Sequence, residues 1–135
     1  MGEFNGIPVY ADYAHHPTEI EQSLNNYKNV FKNVLLVFQP HTYSRTKTLM
    51  PEFVNCFNSA NNLVMFKTYP AREEYDFEGS ENNLFNNINF NKNHKKLAYS
   101  LEQLPQLITE SISDNNVILF LGAGDLYNHI NKIIS

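Results

Sequence analysis

The chain has 135 residues and a formal net charge of −4 at pH 7. That length is one ordinary domain, able to bury about two-thirds of its unfolded surface. The acidic balance excludes the basic footprint that a nucleic-acid or anionic-membrane partner requires, and the single cysteine, Cys56, excludes an internal disulfide framework or a multi-thiolate metal site.

In chain order, Ile7–Tyr10 reads as a first strand. Pro17 opens a helix, where its missing N–H costs nothing, and Ile20, Leu24 and Tyr27 give that helix a core-facing stripe. Val34–Phe38 is a continuous apolar run, as in a strand buried on both faces. Leu49, Phe53, Val54 and Phe57 predict a second helix with Pro51 in its first turn, and Leu63–Phe66 a third strand. Tyr69 to Gly79 reads as a long loop, followed by a weak helix over Asn83–Ile88 in an Asn-rich stretch. Leu97–Tyr99 is a short strand, begun by the solvated pair Lys95-Lys96. Ser100 is a candidate N-cap for a helix carrying Leu104, Leu107, Ile108 and Ile112. Val117–Leu121 is a buried strand, Gly122-Ala-Gly124 a tight turn, and Asp125 starts a last helix with Leu126, Ile130 and Ile133 or Ile134 inward. Strands alternating with helices predict a Rossmann-like, three-layer αβα domain with a mostly parallel sheet of about five to six strands. No N-terminal signal pattern or long apolar run is present, so the expected location is cytoplasmic.

Two polar clusters follow strands: Asp12-Tyr-Ala-His-His-Pro17 and Gln39-Pro-His-Thr-Tyr-Ser-Arg-Thr46. Open α/β sheets bind ligands at the carboxyl ends of their strands, so the two clusters suggest one site. Arg45 is the best donor for a carboxylate, because a guanidinium can bind both oxygens; the alternative is an ion pair with an acidic neighbour. His15 and His41 can add hydrogen bonds, and Tyr13 or Tyr43 can shape a pocket. His16, before Pro17, suits a helix cap. Arg72 and Glu73 fit a loop ion pair and a ligand contact equally well. A zinc site from Asp12, His15, His16 and His41 is disfavoured, because adjacent histidines ending a strand point in different directions. Gly122-Ala-Gly124 resembles the start of a dinucleotide fingerprint, but Tyr127 replaces the third glycine and Asp125 would repel a phosphate; a tight turn capped by Asp125 fits better. Cys56, between Phe53 and Phe57, reads as a buried, inert thiol. There is no Gly-x-x-x-x-Gly-Lys-Ser/Thr motif and no nucleophile elbow, so the chain looks like half of a site.

Asp12-Tyr-Ala-His-His-Pro-Thr-Glu19, Phe38-Gln-Pro-His-Thr-Tyr-Ser-Arg-Thr46, Ala71-Arg-Glu73 and Leu119-Phe-Leu-Gly-Ala-Gly-Asp125 together resemble the C-terminal domain of the Mur ligases, in the branch that joins L-alanine to UDP-N-acetylmuramate. The four stretches fall in family order and cover nearly the whole chain. The resemblance implies that residues 1–135 are a single C-terminal domain, with the N-terminal UDP-binding and central ATP-binding domains absent from this chain. It implies an ATP-dependent carboxylate–amine ligase of peptidoglycan precursor synthesis working through an acyl phosphate. ATP and Mg2+ would be bound mainly by the central domain, and the isolated domain would be inactive. Carried over by position, Asp12 reaches the nucleotide, and Tyr13, His15, His41 and Arg45 surround the amino acid or the muramoyl arm. Thr42, Arg72 and Glu73 are further candidates, with no certain catalytic residue and no metal ligand. Two departures matter: Ala11 stands where many relatives carry a second Asp, and Thr42 where some carry Arg, which shifts anion recognition toward Arg45. The alternative reading is a free-standing α/β ligand-binding module without catalysis.

Overall fold

The computed structural model describes residues 2–112 and 117–135. The chain opens with a hairpin: β1 (Gly2–Phe4) pairs antiparallel with β2 (Ile7–Asp12). Asn5 and Gly6 turn it with φ of 51° and 84°, the positive values that Asn-Gly adopts at little cost. This strand was not among the sequence expectations, and β2 runs two residues past Tyr10, so Asp12 ends the strand. Helix α1 spans Pro17–Val30, with Pro17, Ile20, Ser23 and Leu24 buried, and β3 spans Val34–Phe38 as expected.

A helix not expected from the sequence, α2 (Tyr43–Thr48), precedes the expected second helix, which forms only as α3 (Met50–Phe53), with Pro51 in its first turn as expected. The backbone breaks between the two at Leu49, with φ −104° and ψ 17°, and Pro51, which has no N–H to continue α2, starts the second. Phe53 and Phe57 still fill the core, each 1 % exposed, because the backbone continues from α3 in turns that keep both on the sheet side. Then follow β4 (Asn62–Phe66), α4 (Glu81–Asn87), β5 (Lys95–Ala98), α5 (Leu104–Ser111), β6 (Val117–Leu121) and α6 (Ile130–Ile134). Ser100 precedes a 3-10 turn, Leu101–Gln103, that leads into α5; a similar turn, Asp125–His129, leads into α6.

The six strands run in the order β1-β2-β6-β3-β4-β5, all parallel except β1. Alternation along β3 separates two cores. Val34, Leu36 and Phe38 pack with Ile20, Leu24, Phe53, Phe57 and Leu84 on the side of α1 to α4. Leu35 and Val37 pack with Leu104, Ile108, Leu126 and Ile130 on the side of α5 and α6. Each such fully buried side chain contributes about 1.5–3 kcal/mol of transfer free energy. The crossovers change face between β5 and β6, which brings β6 back between β2 and β3. The carboxyl ends of β2, β6, β3 and β4 therefore lie side by side, a topological switch point of the kind that holds ligands. Among the described residues, no helix is long and apolar enough to cross a membrane.

Candidate functional site

Gln39, the residue after β3, organises this edge. It is 1 % exposed. Its Nε2 donates to Asp125 Oδ1 at 2.8 Å and to the Lys67 carbonyl at 3.2 Å, and its Oε1 accepts the Leu126 N–H at 2.9 Å. One amide thus joins the segments that follow β3, β4 and β6. The glycines of the 122–124 turn make room for it: a Cβ on Gly124 would lie 2.4 Å from Gln39 Oε1, and one on Gly122, at φ +140°, would lie 2.8 Å from the Gln39 carbonyl oxygen. Asp125 is not the helix cap expected from sequence. Its carboxylate is turned to Gln39, and the turn it starts has no side-chain cap.

The loop after β2 presents Asp12, Tyr13 and His15. Asp12, exposed at the strand end beside Leu121, lines a cleft of about 390 Å³ with Tyr13, His15, Glu19, Gln22, Asn26 and Tyr27. Burial first, and the nearby Asp12 charge second, hold the Tyr27 phenol above its usual range. Tyr13 is 57 % exposed, yet its ring stacks on Tyr127 with centroids 4.1 Å apart and planes 18° apart. His15 Nδ1 lies 2.8 Å from the Tyr13 carbonyl oxygen. A carbonyl only accepts, so that nitrogen carries a proton and Nε2 is the ring atom left to meet a ligand. His16 is the N-cap of α1: its Nδ1 accepts the Thr18 N–H, and Glu19 accepts the N–H groups of His15 and His16 in return. Those two backbone donors hold the Glu19 carboxyl below the usual carboxylate range.

The loop after β3 is bound to the loop after β4. Tyr69 N–H donates to the Pro40 carbonyl at 2.9 Å, Thr42 N–H donates to the Tyr69 carbonyl at 2.8 Å, and His41 pairs with Tyr69 as an isolated parallel bridge. Thr42 sits at φ 63°, a conformation costly for a β-branched residue and sustained only where its surroundings over-determine it. Here its Oγ1 accepts the Arg45 N–H and its carbonyl accepts the Thr46 hydroxyl. His41 stacks on Tyr69 at 5.6 Å and faces His15 at 5.7 Å between centroids. Its Nδ1 is buried without a hydrogen-bond partner among the described residues. Burial, then the Arg45 guanidinium and His15, push the imidazole below its usual value, against a smaller opposing effect of Glu73. His41 is therefore neutral at pH 7 and can recognise an anion only through an N–H.

Arg45 lines a depression of about 350 Å³ with Thr42, Ser44, Thr48 and Leu49. Among the described residues no carboxylate pairs with its guanidinium, so the ion-pair alternative has no partner here and the cation is available to a ligand. Glu73 is already engaged. Its carboxylate accepts the N–H groups of Tyr43 at 2.8 Å and Ser44 at 3.0 Å, and the Ser44 hydroxyl. Those bonds hold it below the usual carboxylate range. Neither alternative expected for Glu73, a loop ion pair or a ligand contact, describes this. Arg72 is exposed, and no ion pair joins it to Glu73.

The fold thus brings Tyr13, His15, His41 and Arg45 to one edge with Asp12. Gln39 and Tyr127 are structural partners of the site that sequence reasoning did not single out. The signal for Gln39 was its position, a polar residue directly after a fully apolar strand. Cys56 is 3 % exposed, and burial pushes its thiol far above the ordinary value, in keeping with an inert thiol. Among the described residues, no group of three or more His, Cys, Asp or Glu side chains is placed to hold a metal ion.

A mostly parallel sheet covered by helices on both faces, with polar loops converging from adjacent strand ends, defines a Rossmann-like, three-layer αβα domain. The family profile described as "Mur ligase, glutamate ligase domain" matches residues 1–124, and the chain belongs to the Mur ligase family. It is 42% identical over 127 residues to a UDP-N-acetylmuramate–L-alanine ligase of Clostridium novyi, covering 93% of this chain and 28% of that protein. It is 38% identical over 141 residues to the protein of the same name from Crocosphaera subtropica, covering 99% and 27%. The crystal structure of the UDP-N-acetylmuramate–alanine ligase of Thermotoga maritima superposes with a TM-score of 0.62 at 28% identity, covering 93% of this chain and 26% of that one. The murein peptide ligase of Psychrobacter arcticus shares the fold, with a TM-score of 0.65 at 17% identity, covering 98% and 28%. The chain spans a little over a quarter of the length of the curated relatives it matches.

Proposed function

We propose that this chain is the C-terminal domain of an ATP-dependent ligase that joins L-alanine to UDP-N-acetylmuramate in the cytoplasm. The observation that carries the reading is the pairing of 42% identity to a ligase of that name with an unpaired Arg45 beside two histidines at the ligand edge. The reaction explains why such an edge is needed. A carboxylate resists attack by an amine. Transfer of the ATP γ-phosphoryl group to the muramoyl carboxylate, releasing ADP, converts an oxide into a leaving group. The alanine amine then forms the C–N bond through a tetrahedral intermediate, the C–O bond to phosphate breaks, and phosphate departs.

In this reading the chain's own residues bind and orient. The Arg45 guanidinium takes the alanine carboxylate with both oxygens, and neutral His41 donates one N–H. Tyr13, held against Tyr127, and His15, through Nε2, line the side where the amine and the muramoyl arm meet. Asp12 accepts the ribose hydroxyls of the nucleotide; a carboxylate suits hydroxyl donors and is a poor neighbour for phosphates. The sequence has no P-loop and the described residues assemble no metal site. The chain spans a little over a quarter of the relatives it matches, and in this reading other domains of a longer protein bind the ATP phosphates and Mg2+. Closure of such domains over this edge would exclude water from the acyl phosphate.

The test is to express the full reading frame that encodes this chain and measure phosphate release with ATP, Mg2+ and UDP-N-acetylmuramate, with and without L-alanine. Alanine-dependent release is expected, and none from the 135-residue chain alone. A reading frame encoding no further domain, or a full-length protein without alanine-dependent release, would overturn the proposal in favour of a free-standing binding module.

A further inference from the structure

Helix α2 carries Arg45 but has little reason to form on its own. Its sequence, Tyr-Ser-Arg-Thr-Lys-Thr, has no apolar period, it is one and a half turns long, and it follows a residue at positive φ. Two side chains accept its first three N–H groups. Glu73 takes those of Tyr43 and Ser44, and Thr42 takes that of Arg45. Glu73 reaches them from a loop thirty residues on. That loop is itself fastened to the same helix: Lys47 lies 3.5 Å from Asp76 and 3.8 Å from Glu78, and Gly79 packs so tightly on the Tyr43 carbonyl that a Cβ would come within 1.9 Å of it. The first two N–H groups of α2 are thus satisfied by an internal carboxylate.

We propose that Glu73 is a positioning residue for Arg45: its carboxylate completes the N-terminus of α2, so that the Arg45 guanidinium is held in one place for a substrate carboxylate. The inference deepens the reading of Arg45 as the alanine-binding group and rests on it for its kinetic consequence. The structural half stands independently. Glu73 touches no substrate in this role, and what it supplies is an acceptor at a fixed point.

Two measurements test it. In 15N–1H spectra of the 135-residue chain, Glu73→Ala should shift the Tyr43, Ser44 and Arg45 amides. Acetate, which replaces the deleted CH2–carboxylate, should return them saturably, with no such response in the unsubstituted chain. Unmoved α2 amides, or an acetate response equal in both proteins, would overturn the proposal. In the full-length ligase, Glu73→Ala should raise the alanine KM about tenfold, the equivalent of one lost charge-assisted hydrogen bond. The ATP KM should stay unchanged, acetate should restore activity, and Glu73→Gln, which keeps an acceptor oxygen, should lie close to the unsubstituted enzyme. A changed alanine KM in Arg45→Ala with none in Glu73→Ala would sink this inference alone. An unchanged alanine KM in both would sink the Arg45 reading and the kinetic role of Glu73 with it.

Discussion

The side-chain amide of Gln39 donates to Asp125 Oδ1 across 2.8 Å, joining the loop after β3 to the turn after β6. The same amide accepts the buried Leu126 N–H, so its loss strands a backbone donor away from water. Gln39→Ala should destabilise the chain by about 1–3 kcal/mol, the cost of an unsatisfied buried group, read from urea unfolding midpoints. Gly124→Ala, whose Cβ would meet Gln39 Oε1 at 2.4 Å, should cost about the same through overpacking. The double variant should cost somewhat less than the sum, because removing the amide relieves the contact with Gln39 and leaves the one with Tyr69 Cβ, at 2.6 Å, in place. Simple additivity would show that the two residues do not share the strain.

On the proposed alanine-ligase reading, Arg45→Ala in the full-length protein should raise the alanine KM by about ten- to a hundredfold, from hydrogen bonds to a charged group of about 1.5–3 kcal/mol. ATP should be affected little. Arg45→Lys should recover only part of the loss, since an ammonium cannot bind both carboxylate oxygens. Steady-state kinetics at saturating ATP and UDP-N-acetylmuramate decide the matter, and an unchanged alanine KM would remove Arg45 from the acceptor site.

Acid should weaken the fold in two stages. Glu19 and Glu73 are held below their ordinary value of 4.5 by the backbone and hydroxyl groups they accept from. For each, the unfolded chain binds more protons between the two values. The stabilisation is therefore complete above about pH 4.5 and is lost as pH falls through the folded value. His41, lowered from its ordinary 6.5, acts in the same direction at higher pH: its share is complete above about pH 6.5 and lost as the buried ring is forced to take a proton. Urea midpoints measured from about pH 7 to pH 3 should decline, and Glu19→Gln and Glu73→Gln should each flatten the acid part of that decline. In an NMR titration His41 should protonate below pH 6.5.

Cys56, the only thiol in the chain, should be silent toward a thiol-specific disulfide reagent in the native state at pH 8. It should react at the rate of global unfolding, because it is buried among Phe53, Phe57 and the rest of the α1-side core and burial disfavours its thiolate. Rapid labelling without denaturant would mean that this layer opens locally.

Much of the layout was legible because burial on both faces leaves a plain signature. Val34–Phe38 and Val117–Leu121 are five-residue apolar runs, and both match the observed strands residue for residue. The start of α1 was legible from Pro17 and the polar residue before it. What escaped has a common cause. Helix α2 is made by groups distant in sequence, chiefly Glu73, and no window around Tyr43 contains them. Asp125 has the residue type and position of a cap, yet Gln39, eighty-six residues earlier, outcompetes the local N–H groups for its carboxylate. Asn5-Gly6 was a hairpin signal in plain view, hidden only because β1 is three residues long. The site clusters were found from polar residues after strands, but the division of labour within them, binding groups against supporting groups, depends on contacts that only the fold supplies.

β6 follows β5 in the chain but lies between β2 and β3. During synthesis the β1–β2 hairpin with α1 and the β3–β4–β5 sheet emerge as two pieces, each with an open strand edge and apolar flanks waiting for Val117–Leu121. Such unpaired edges invite association with other chains until they are closed. A nascent or prematurely terminated polypeptide that stops before Val117 cannot bring His15 opposite His41, however completely its other elements have formed. The edge that carries His15 and His41 is therefore all-or-none with respect to the synthesis of β6.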